Sequence, residues 1–397
     1  MLQVLDKKLI LNTYSKKDIN FIKGENATLF DNNGTKYIDF ASGVGVVSIG
    51  HGNKDIADTI YNQVLNITHI SNLYTIEPQL NLAQKLVQLS NFDMKCFFSN
   101  SGAEANEAAI KIARKYGQKK YNGERFKIIT LENSFHGRTL ATAKATGQSK
   151  IHKNDFAPYP EGFIFYKDID DIYENIDNNT VAVMLELIQG EGGVQPLNKS
   201  KIQQLSLFLK QKDILLIIDE VQTGIYRTGV FLASHLYEIT PDIITLAKGL
   251  GNGIPIGVTM TTQKDIFELG DHGSTFGGNY LSTTVGLKVC EILEKYFLNK
   301  QLEKTIEYFN MKLEKFYKQF SFLFIEIVGI GLIKGIRIKD ERILEQLINR
   351  AFKNKVLILR AGKNTLRFLP PLTISEKEIN KGFKYLYEGL RNENFNS

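Results

Sequence analysis

Short, mostly apolar runs bounded by polar or glycine-rich residues recur along the chain, and two of them end at a charged residue. Residues 214–218 are all apolar and lead into Asp219, whereas residues 243–246 lead through Ala247 to Lys248. Such runs indicate strands that are buried on both faces, as in a parallel sheet covered by helices. The pattern therefore places Asp219 and Lys248 at strand ends, on the edge of an α/β sheet where ligands bind.

The remaining pattern predicts further elements of the same α/β fold. Strands are predicted at residues 96–98, 126–131 and 181–186, and helices at residues 55–88, with a break near Ser71, and at residues 281–299. Ser101 and Glu104 have the spacing of a capping box, so a further helix is expected to begin there. We expect residues 1–50 to form an extended arm and a small β-element that turns at Asn33-Gly34.

The composition excludes several classes of protein. The 397 residues are 43% hydrophobic and 23% charged, which is typical of a globular chain with two domains. Basic and acidic residues, 49 and 43 in number, are interspersed, so we expect no nucleic-acid partner despite the net charge of +6. Two cysteines, no leader and no membrane-spanning run favour a cytoplasmic protein. The histidines lack metal-ligand spacing, and residues 329–335 fit a turn better than a dinucleotide-binding loop.

Lys248 and Asp219 together carry candidate chemistry. A lysine made less basic by burial is a nucleophile toward carbonyl groups and forms Schiff bases. A carboxylate beside it suits pyridoxal phosphate, because an acidic partner keeps the pyridine nitrogen protonated and lets the ring act as an electron sink. Two structural alternatives remain open at this point: Lys248 keeps its ammonium in water, or the two residues form a buried ion pair.

The residues around this pair resemble a known signature. Residues 218–224, Ile-Asp-Glu-Val-Gln-Thr-Gly, and 246–249, Leu-Ala-Lys-Gly, are similar to motifs of the class III (ω-amino acid) aminotransferases, which use pyridoxal 5′-phosphate. The similarity runs from about residue 21 to residue 371, and further motifs resemble the acetylornithine aminotransferases. It implies fold type I, with a mostly parallel, seven-stranded sheet. The large domain would comprise residues 51–290, and residues 1–50 and 291–397 would form a smaller α+β domain.

The resemblance also assigns roles to individual residues, with Lys248 and Asp219 as the catalytic pair. The implied cofactor contacts are Ser101, Gly102 and Ala103 at a phosphate-binding helix start, Phe135 and Val221 on the ring faces, Gln222 near the ring hydroxyl, and His136, Glu186, Ser274 and Thr275. A helix start suits a phosphate because its free amides and dipole favour an anion. Thr275 is implied to reach the cofactor of a second subunit, so a homodimer is expected.

Three further charged residues are expected to bind substrates. Arg138, in the motif Phe-His-Gly-Arg-Thr, would bind a carboxylate through paired hydrogen bonds; a surface arginine is the alternative. Glu191 resembles a switch residue that pairs with a distant arginine, here Arg367; a surface salt bridge is the alternative. The switch would mask Arg367 for an ω-amino donor and expose it for 2-oxoglutarate. The family usually has proline where Leu187 stands, which we expect to change loop stiffness rather than chemistry.

The implied reaction transfers the ω-amino group of N2-acetylornithine to 2-oxoglutarate, as in arginine biosynthesis. Succinylornithine, ornithine, 4-aminobutyrate and N-succinyl-diaminopimelate are alternative donors that the sequence does not separate. Three other classes fit less well. A mutase would not need Arg367, a non-catalytic cofactor-binding protein would not need Lys248 and Asp219, and a dinucleotide oxidoreductase would need a glycine fingerprint that is missing.

Overall fold

The computed structural model describes residues 2–391, which alternate between strands and helices. The strands are β1 (Phe21–Glu25), β2 (Thr28–Asp31), β3 (Lys36–Asp39), β4 (Lys95–Ser99), β5 (Lys127–Leu131), β6 (Phe163–Tyr166), β7 (Thr180–Leu185), β8 (Ile188–Gln189), β9 (Gln195–Pro196), β10 (Leu215–Asp219), β11 (Ile243–Leu246), β12 (Gly257–Thr261), β13 (Phe324–Ile330), β14 (Ile333–Ile338), β15 (Val356–Leu357), β16 (Leu359–Ala361) and β17 (Thr365–Phe368). The helices are α1 (Leu2–Leu9), α2 (Ser42–Gly45), α3 (Lys54–Asn66), α4 (Glu77–Ser90), α5 (Gly102–Tyr121), α6 (Leu140–Ala145), α7 (Ile169–Asn175), α8 (Lys199–Lys212), α9 (Ala233–Tyr237), α10 (Tyr280–Leu298), α11 (Gln301–Gln319), α12 (Glu341–Lys353) and α13 (Glu376–Arg391).

A seven-stranded sheet forms the centre of the molecule, in the order β4-β12-β11-β10-β7-β5-β6. Its strands are parallel except β12, which runs antiparallel to both β11 and β4. Every residue of β7, β10 and β11 is buried, as expected for strands covered on both faces. The predicted α/β fold with a mostly parallel sheet is therefore confirmed. Asp219, the last residue of β10, pairs with Thr245 on the neighbouring β11.

Helix α5 begins where the sequence predicts. The Ser101 side chain accepts a hydrogen bond from the Glu104 amide, so it caps the helix and Gly102 is the first helical residue. Small buried side chains such as Ala105 and Ala109 let the helix lie close to β11 and β12. The start of α5 is thereby held near the carboxyl ends of β10 and β11.

The first and last parts of the chain form two smaller sheets, in the orders β1-β2-β3-β15 and β13-β14-β17-β16. Because β15 pairs with β3, the C-terminal segment is joined directly to the N-terminal one. The predicted β-element at β2 and β3 and the turn between β13 and β14 are present. Helix α1 was not predicted, because its exposed Leu5 and Leu9 give no burial pattern. No helix within residues 2–391 is long and apolar enough to cross a membrane.

Candidate active site

A cavity of about 350 Å³ opens at the carboxyl ends of β10 and β11. Lys248 and Asp219 both line it, so the two residues on which the sequence prediction depends share one cavity. The other predicted residues in the lining are Ser101, Gly102, Ala103, Phe135, His136, Arg138, Glu186, Glu191, Val221 and Gln222. Asn100, Asn106 and residues 253–256 also line the cavity, although the sequence did not single them out.

Lys248 lies two residues beyond β11, at the start of a tight turn. Its backbone φ is +41°, a left-handed conformation that is strained for a lysine and that is concentrated at functional sites. Desolvation in the cavity lowers the pKa of the Lys248 ammonium; Glu191 and Asp219 oppose this shift, and Arg367 adds to it. Lys248 therefore loses its proton more easily than a surface lysine, as a nucleophilic amine requires.

Asp219 is buried and held by three hydrogen-bond donors. Its Oδ2 atom accepts hydrogen bonds from His136 Nδ1 at 2.9 Å and from Asn106 Nδ2 at 2.7 Å. Its Oδ1 atom accepts one from the Val221 amide at 3.0 Å. These donors come from three different parts of the chain, so the orientation of the Asp219 carboxylate is fixed before any ligand binds.

Asn106 is the buried polar residue that sequence reasoning missed. It lies one helical turn after Gly102, on the face of α5 that packs against the sheet, and it is only 1% exposed. The available signal was an asparagine among alanines on the buried face of a helix, which is costly unless its amide is hydrogen-bonded. The sequence does not show which residue supplies the partner.

The start of α5 has free backbone donors that face the cavity. The Glu104 amide is used by the Ser101 cap, but the amides of Gly102 and Ala103 have no acceptor within the described chain. A Cβ atom at Gly102 would lie 2.7 Å from Val221 Cγ1, so a larger residue at this position would clash with the Val221 side chain. The turn can therefore bind an anion through Gly102 and Ala103.

Glu186 anchors the backbone around the cavity. One carboxylate oxygen accepts a hydrogen bond from the Phe135 amide at 2.8 Å and the other from the Gly190 amide at 3.3 Å. Burial raises the pKa of Glu186 to about 7, with Asp219 adding to the shift and His136 opposing it. Glu186 thus links the loop that carries Phe135 to the loop that leads to Glu191.

We expect the Glu186→Gln variant of the cofactor-free protein to lose part of the dependence of stability on pH. The folded protein binds a proton at Glu186 up to about pH 7, whereas the unfolded chain releases it near the ordinary glutamate pKa of 4.5. The wild type should therefore lose about 2–3 kcal/mol of unfolding free energy between pH 5 and pH 8 that the variant retains. Urea unfolding at both pH values measures this difference, and equal losses in the two proteins would show that Glu186 does not titrate there.

Arg367 and Glu191 form the ion pair that the resemblance implies. Arg367 is the third residue of β17 and is 3% exposed, and its Nη1 atom lies 2.6 Å from Glu191 Oε1. The same nitrogen lies 3.4 Å from Gln222 Oε1. Glu191 is the more exposed partner, at 30%, so it can move away while the buried arginine stays in place. A surface salt bridge does not describe a pair with one fully buried member.

Arg138 follows Phe135 by three residues in the motif Phe-His-Gly-Arg-Thr, and the two side chains are in contact. The guanidinium carbon of Arg138 is 5.5 Å from the centre of the Phe135 ring, within the range of a cation–π interaction. Arg138 is exposed at the cavity and Phe135 is partly buried. The guanidinium nitrogens are therefore available to an incoming carboxylate.

Three predicted residues do not line this cavity: Ser274, Thr275 and Arg367, of which Arg367 is joined to it through the ion pair with Glu191. The Ser274 hydroxyl accepts a hydrogen bond from the Gly277 amide of the same loop at 2.9 Å. It accepts a second one from Asn100 Nδ2, which follows β4, at 3.2 Å. Thr275 is exposed.

This geometry belongs to a known class of enzyme. Residues 12–390 match the Aminotransferase class-III family, and the chain belongs to that family. The match includes the whole seven-stranded sheet and both Lys248 and Asp219.

Individual relatives are similar over almost the whole chain. The acetylornithine aminotransferase of Wolinella succinogenes is 54% identical over 98% of this chain and 99% of its own length. The acetylornithine/succinyldiaminopimelate aminotransferase of Buchnera aphidicola subsp. Acyrthosiphon pisum is 43% identical over 96% of this chain and 95% of its own. An ornithine aminotransferase structure from Toxoplasma gondii, described with PLP at partial occupancy in its active site, superposes with a TM-score of 0.90 at 27% identity, covering 98% and 93% of the two chains.

Proposed function

We propose that this protein is a pyridoxal-phosphate-dependent aminotransferase that moves the ω-amino group of N2-acetylornithine to 2-oxoglutarate. The products are N-acetylglutamate 5-semialdehyde and glutamate, which places the enzyme in arginine biosynthesis. The single observation that carries the proposal is one cavity in which Lys248, Asp219 and the free amides of α5 meet. The full-length similarity to acetylornithine aminotransferases supports the choice of donor.

The residues present fit pyridoxal phosphate. Gly102 and Ala103 offer two unpaired amides for its phosphate, and Asp219 offers a fixed carboxylate for its ring nitrogen. Val221 and Phe135 are apolar side chains suited to the two ring faces. When bound, the cofactor supplies a carbonyl that accepts the amino group and a ring that delocalises electrons.

The reactive role on the protein side belongs to Lys248 Nζ. Because desolvation lowers its pKa, this amine gives up a proton more readily than the amine of an exposed lysine, as proton transfer requires. Its position beside the cavity lets it hold the cofactor carbonyl between turnovers and move a proton at the substrate carbon. Glu186 and Asp219 keep the surrounding backbone and carboxylate in place while this happens.

The two arginines divide the substrate carboxylates between them. Arg138 binds the α-carboxylate of the acetylated donor at the cavity entrance, and Arg367 binds the carboxylate next to the keto group of 2-oxoglutarate. Glu191 neutralises Arg367 while the first substrate is bound and moves away for the second. One cavity thereby accepts two substrates whose charges differ.

We expect the Glu191→Ala variant to change donor preference. Removing the carboxylate leaves Arg367 permanently exposed to substrate, so the ratio of kcat/KM for glutamate to that for N-acetylornithine should rise roughly tenfold. Initial rates with the two donors measure this ratio. Glu132→Ala is the matched control, since Glu132 is a nearby exposed glutamate that borders a separate pocket shared with Glu191. An unchanged ratio in Glu191→Ala would contradict the switch.

Donor identity is tested with the purified enzyme and a set of related amines. Absorbance spectra of the holoenzyme are followed after addition of N-acetylornithine, succinylornithine, ornithine, 4-aminobutyrate or N-succinyl-diaminopimelate. The proposal predicts the fastest spectral change and the highest kcat/KM with N-acetylornithine. Comparable values with N-succinyl-diaminopimelate would assign the dual activity named for the Buchnera relative, and a faster reaction with 4-aminobutyrate would contradict the proposed substrate.

A homodimer is part of the proposal, and an exposed apolar surface supports it. The exposed side chains are Tyr61, Val64, Leu65, Leu73, Tyr74, Leu80 and Phe276. This surface adjoins the loop that carries Thr275, because Asn72 Nδ2 donates to the carbonyls of Ser274 and Gly277. Apolar surface of this kind, next to a loop implied to serve another subunit, is typical of an isologous interface.

Mixing two inactive variants tests the shared site. We expect Lys248→Ala and Thr275→Glu each to be inactive alone, and a mixed dimer to contain one site with neither defect. After unfolding and co-refolding at equal amounts, activity should recover to about one quarter of the wild-type value. Each variant refolded alone serves as the control. A mixture that stays inactive while forming dimers would show that Thr275 acts in its own chain.

A further inference from the structure

Asn106 makes three hydrogen bonds at the base of the cavity, although the mechanism above gives it no role. Its Nδ2 atom donates to Asp219 Oδ2 at 2.7 Å and to the His136 carbonyl at 2.7 Å. Its Oδ1 atom accepts from the Thr245 hydroxyl at 2.7 Å. Both donor hydrogens and the acceptor oxygen of the amide are therefore engaged, on a side chain that is 1% exposed.

The partners of Asn106 set which way its side-chain amide faces. In the reverse orientation, Oδ1 would meet the Asp219 carboxylate and the His136 carbonyl, two acceptors with no proton to share. The Thr245 hydroxyl is 0% exposed and donates to Oδ1, so it favours the orientation in which Nδ2 faces Asp219. Thr245 also pairs directly with Asp219 in the β10–β11 ladder.

We propose that Asn106, oriented by Thr245, is a positioning residue for Asp219. It occupies Oδ2 together with His136, so that Oδ1, which accepts only the Val221 amide, is left for the ring nitrogen of the cofactor. This inference rests on the proposed function, in which Asp219 serves that nitrogen.

The network also couples three parts of the site. Asn106 is on α5, whose first residues offer the anion-binding amides, and Asp219 ends β10. Thr245 lies on β11, three residues before Lys248. The hydrogen bonds therefore fix the distance between the helix start, the carboxylate and the lysine strand. Fully satisfied buried polar networks of this kind specify one arrangement of the elements that they join.

Cofactor affinity, measured without turnover, tests the proposal. The cofactor-free protein is titrated with pyridoxal phosphate and with its 1-deaza analogue, in which a carbon replaces the ring nitrogen. The ratio of the two dissociation constants reports only what the protein gains from that nitrogen. The variants are Asn106→Ala and Thr245→Val, and thermal melting checks that each is folded.

Thr259→Val is the matched control. Thr259 is also 0% exposed and pairs with Thr245 from the adjacent strand β12, but its hydroxyl donates to the Ala105 carbonyl of α5 at 2.7 Å and not to Asn106 or Asp219. The Thr259→Val substitution removes a buried hydrogen bond from a threonine hydroxyl to α5, as Thr245→Val does. A general loosening of the packing would affect the control and Thr245→Val alike.

We expect the wild type and Thr259→Val to prefer the natural cofactor equally, within about twofold. Asn106→Ala and Thr245→Val should each lower the preference roughly tenfold. Unchanged preference in both variants, or an equal loss in Thr259→Val, would overturn the positioning role and leave the proposed function intact. A wild type with no preference would instead contradict the role of Asp219 in the proposed function, and the inference would fall with it.

Discussion

The Lys248→Ala variant should lose transaminase activity by roughly 10³–10⁴-fold in kcat, because no other amine in the cavity can transfer the proton. The cofactor should still bind, since the amides of Gly102 and Ala103 and the carboxylate of Asp219 remain. Steady-state rates and cofactor titration separate these two effects.

A small external amine provides the decisive control for this variant. Methylamine fits the space left by the side chain and should restore a measurable fraction of the activity in proportion to its concentration. Lys334→Ala is the matched substitution: burial also lowers the pKa of Lys334, but its ammonium donates to the Gly329 carbonyl on β13, outside the cavity lining. Full activity of Lys248→Ala without added amine would contradict the assignment.

The Asp219→Asn variant should show the second largest effect, a fall in kcat of roughly 10²–10³-fold. Asparagine has the same shape but no charge, so it cannot stabilise a protonated ring nitrogen. Asp242→Asn is the control, because the Asp242 carboxylate accepts the amide of Leu216 at 2.8 Å on β10, the strand that Asp219 ends. Asp242 lies at the other end of that strand and does not line the cavity. Equal losses in the two variants would indicate a purely structural effect.

The sequence predicts the centre of the fold well because the central strands are short and apolar throughout. The runs that became β10 and β11 would expose apolar side chains to water anywhere but in the core, and their charged ends marked the functional edge of the sheet. The start of α5 was equally clear, since its capping residues are local in sequence. Helix α1 was missed because its described side chains are mostly exposed.

The site was predictable where a role depends on a motif and not where it depends on tertiary contacts. Lys248, Asp219 and the Arg367–Glu191 pair were named from the sequence and lie together. The bonds from Asn106 to Asp219 and from Thr245 to Asn106 join residues that are 113 and 139 positions apart, so no local pattern reveals them. Ser274 and Thr275 lie outside the cavity of their own chain, and their proposed role depends on a second subunit.

Glu186 shows a second limit of sequence reasoning. The resemblance implies a cofactor contact, and the structure gives the carboxylate two backbone amides as partners. Its raised pKa follows from burial, which is a property of the folded chain and has no sequence signature. Roles that depend on desolvation are therefore assigned only once the surroundings of a residue are known.

The catalytic assignment of Lys248 is tested most directly by identifying which residue carries the cofactor. The purified enzyme, loaded with pyridoxal phosphate, is reduced with borohydride, digested and analysed by mass spectrometry. We expect the reduced cofactor to be attached to Lys248 alone, and prior incubation with N-acetylornithine to prevent the labelling. Attachment to another lysine, or no attachment in a protein that binds the cofactor and is active, would contradict the central claim that Lys248 and Asp219 form one catalytic site.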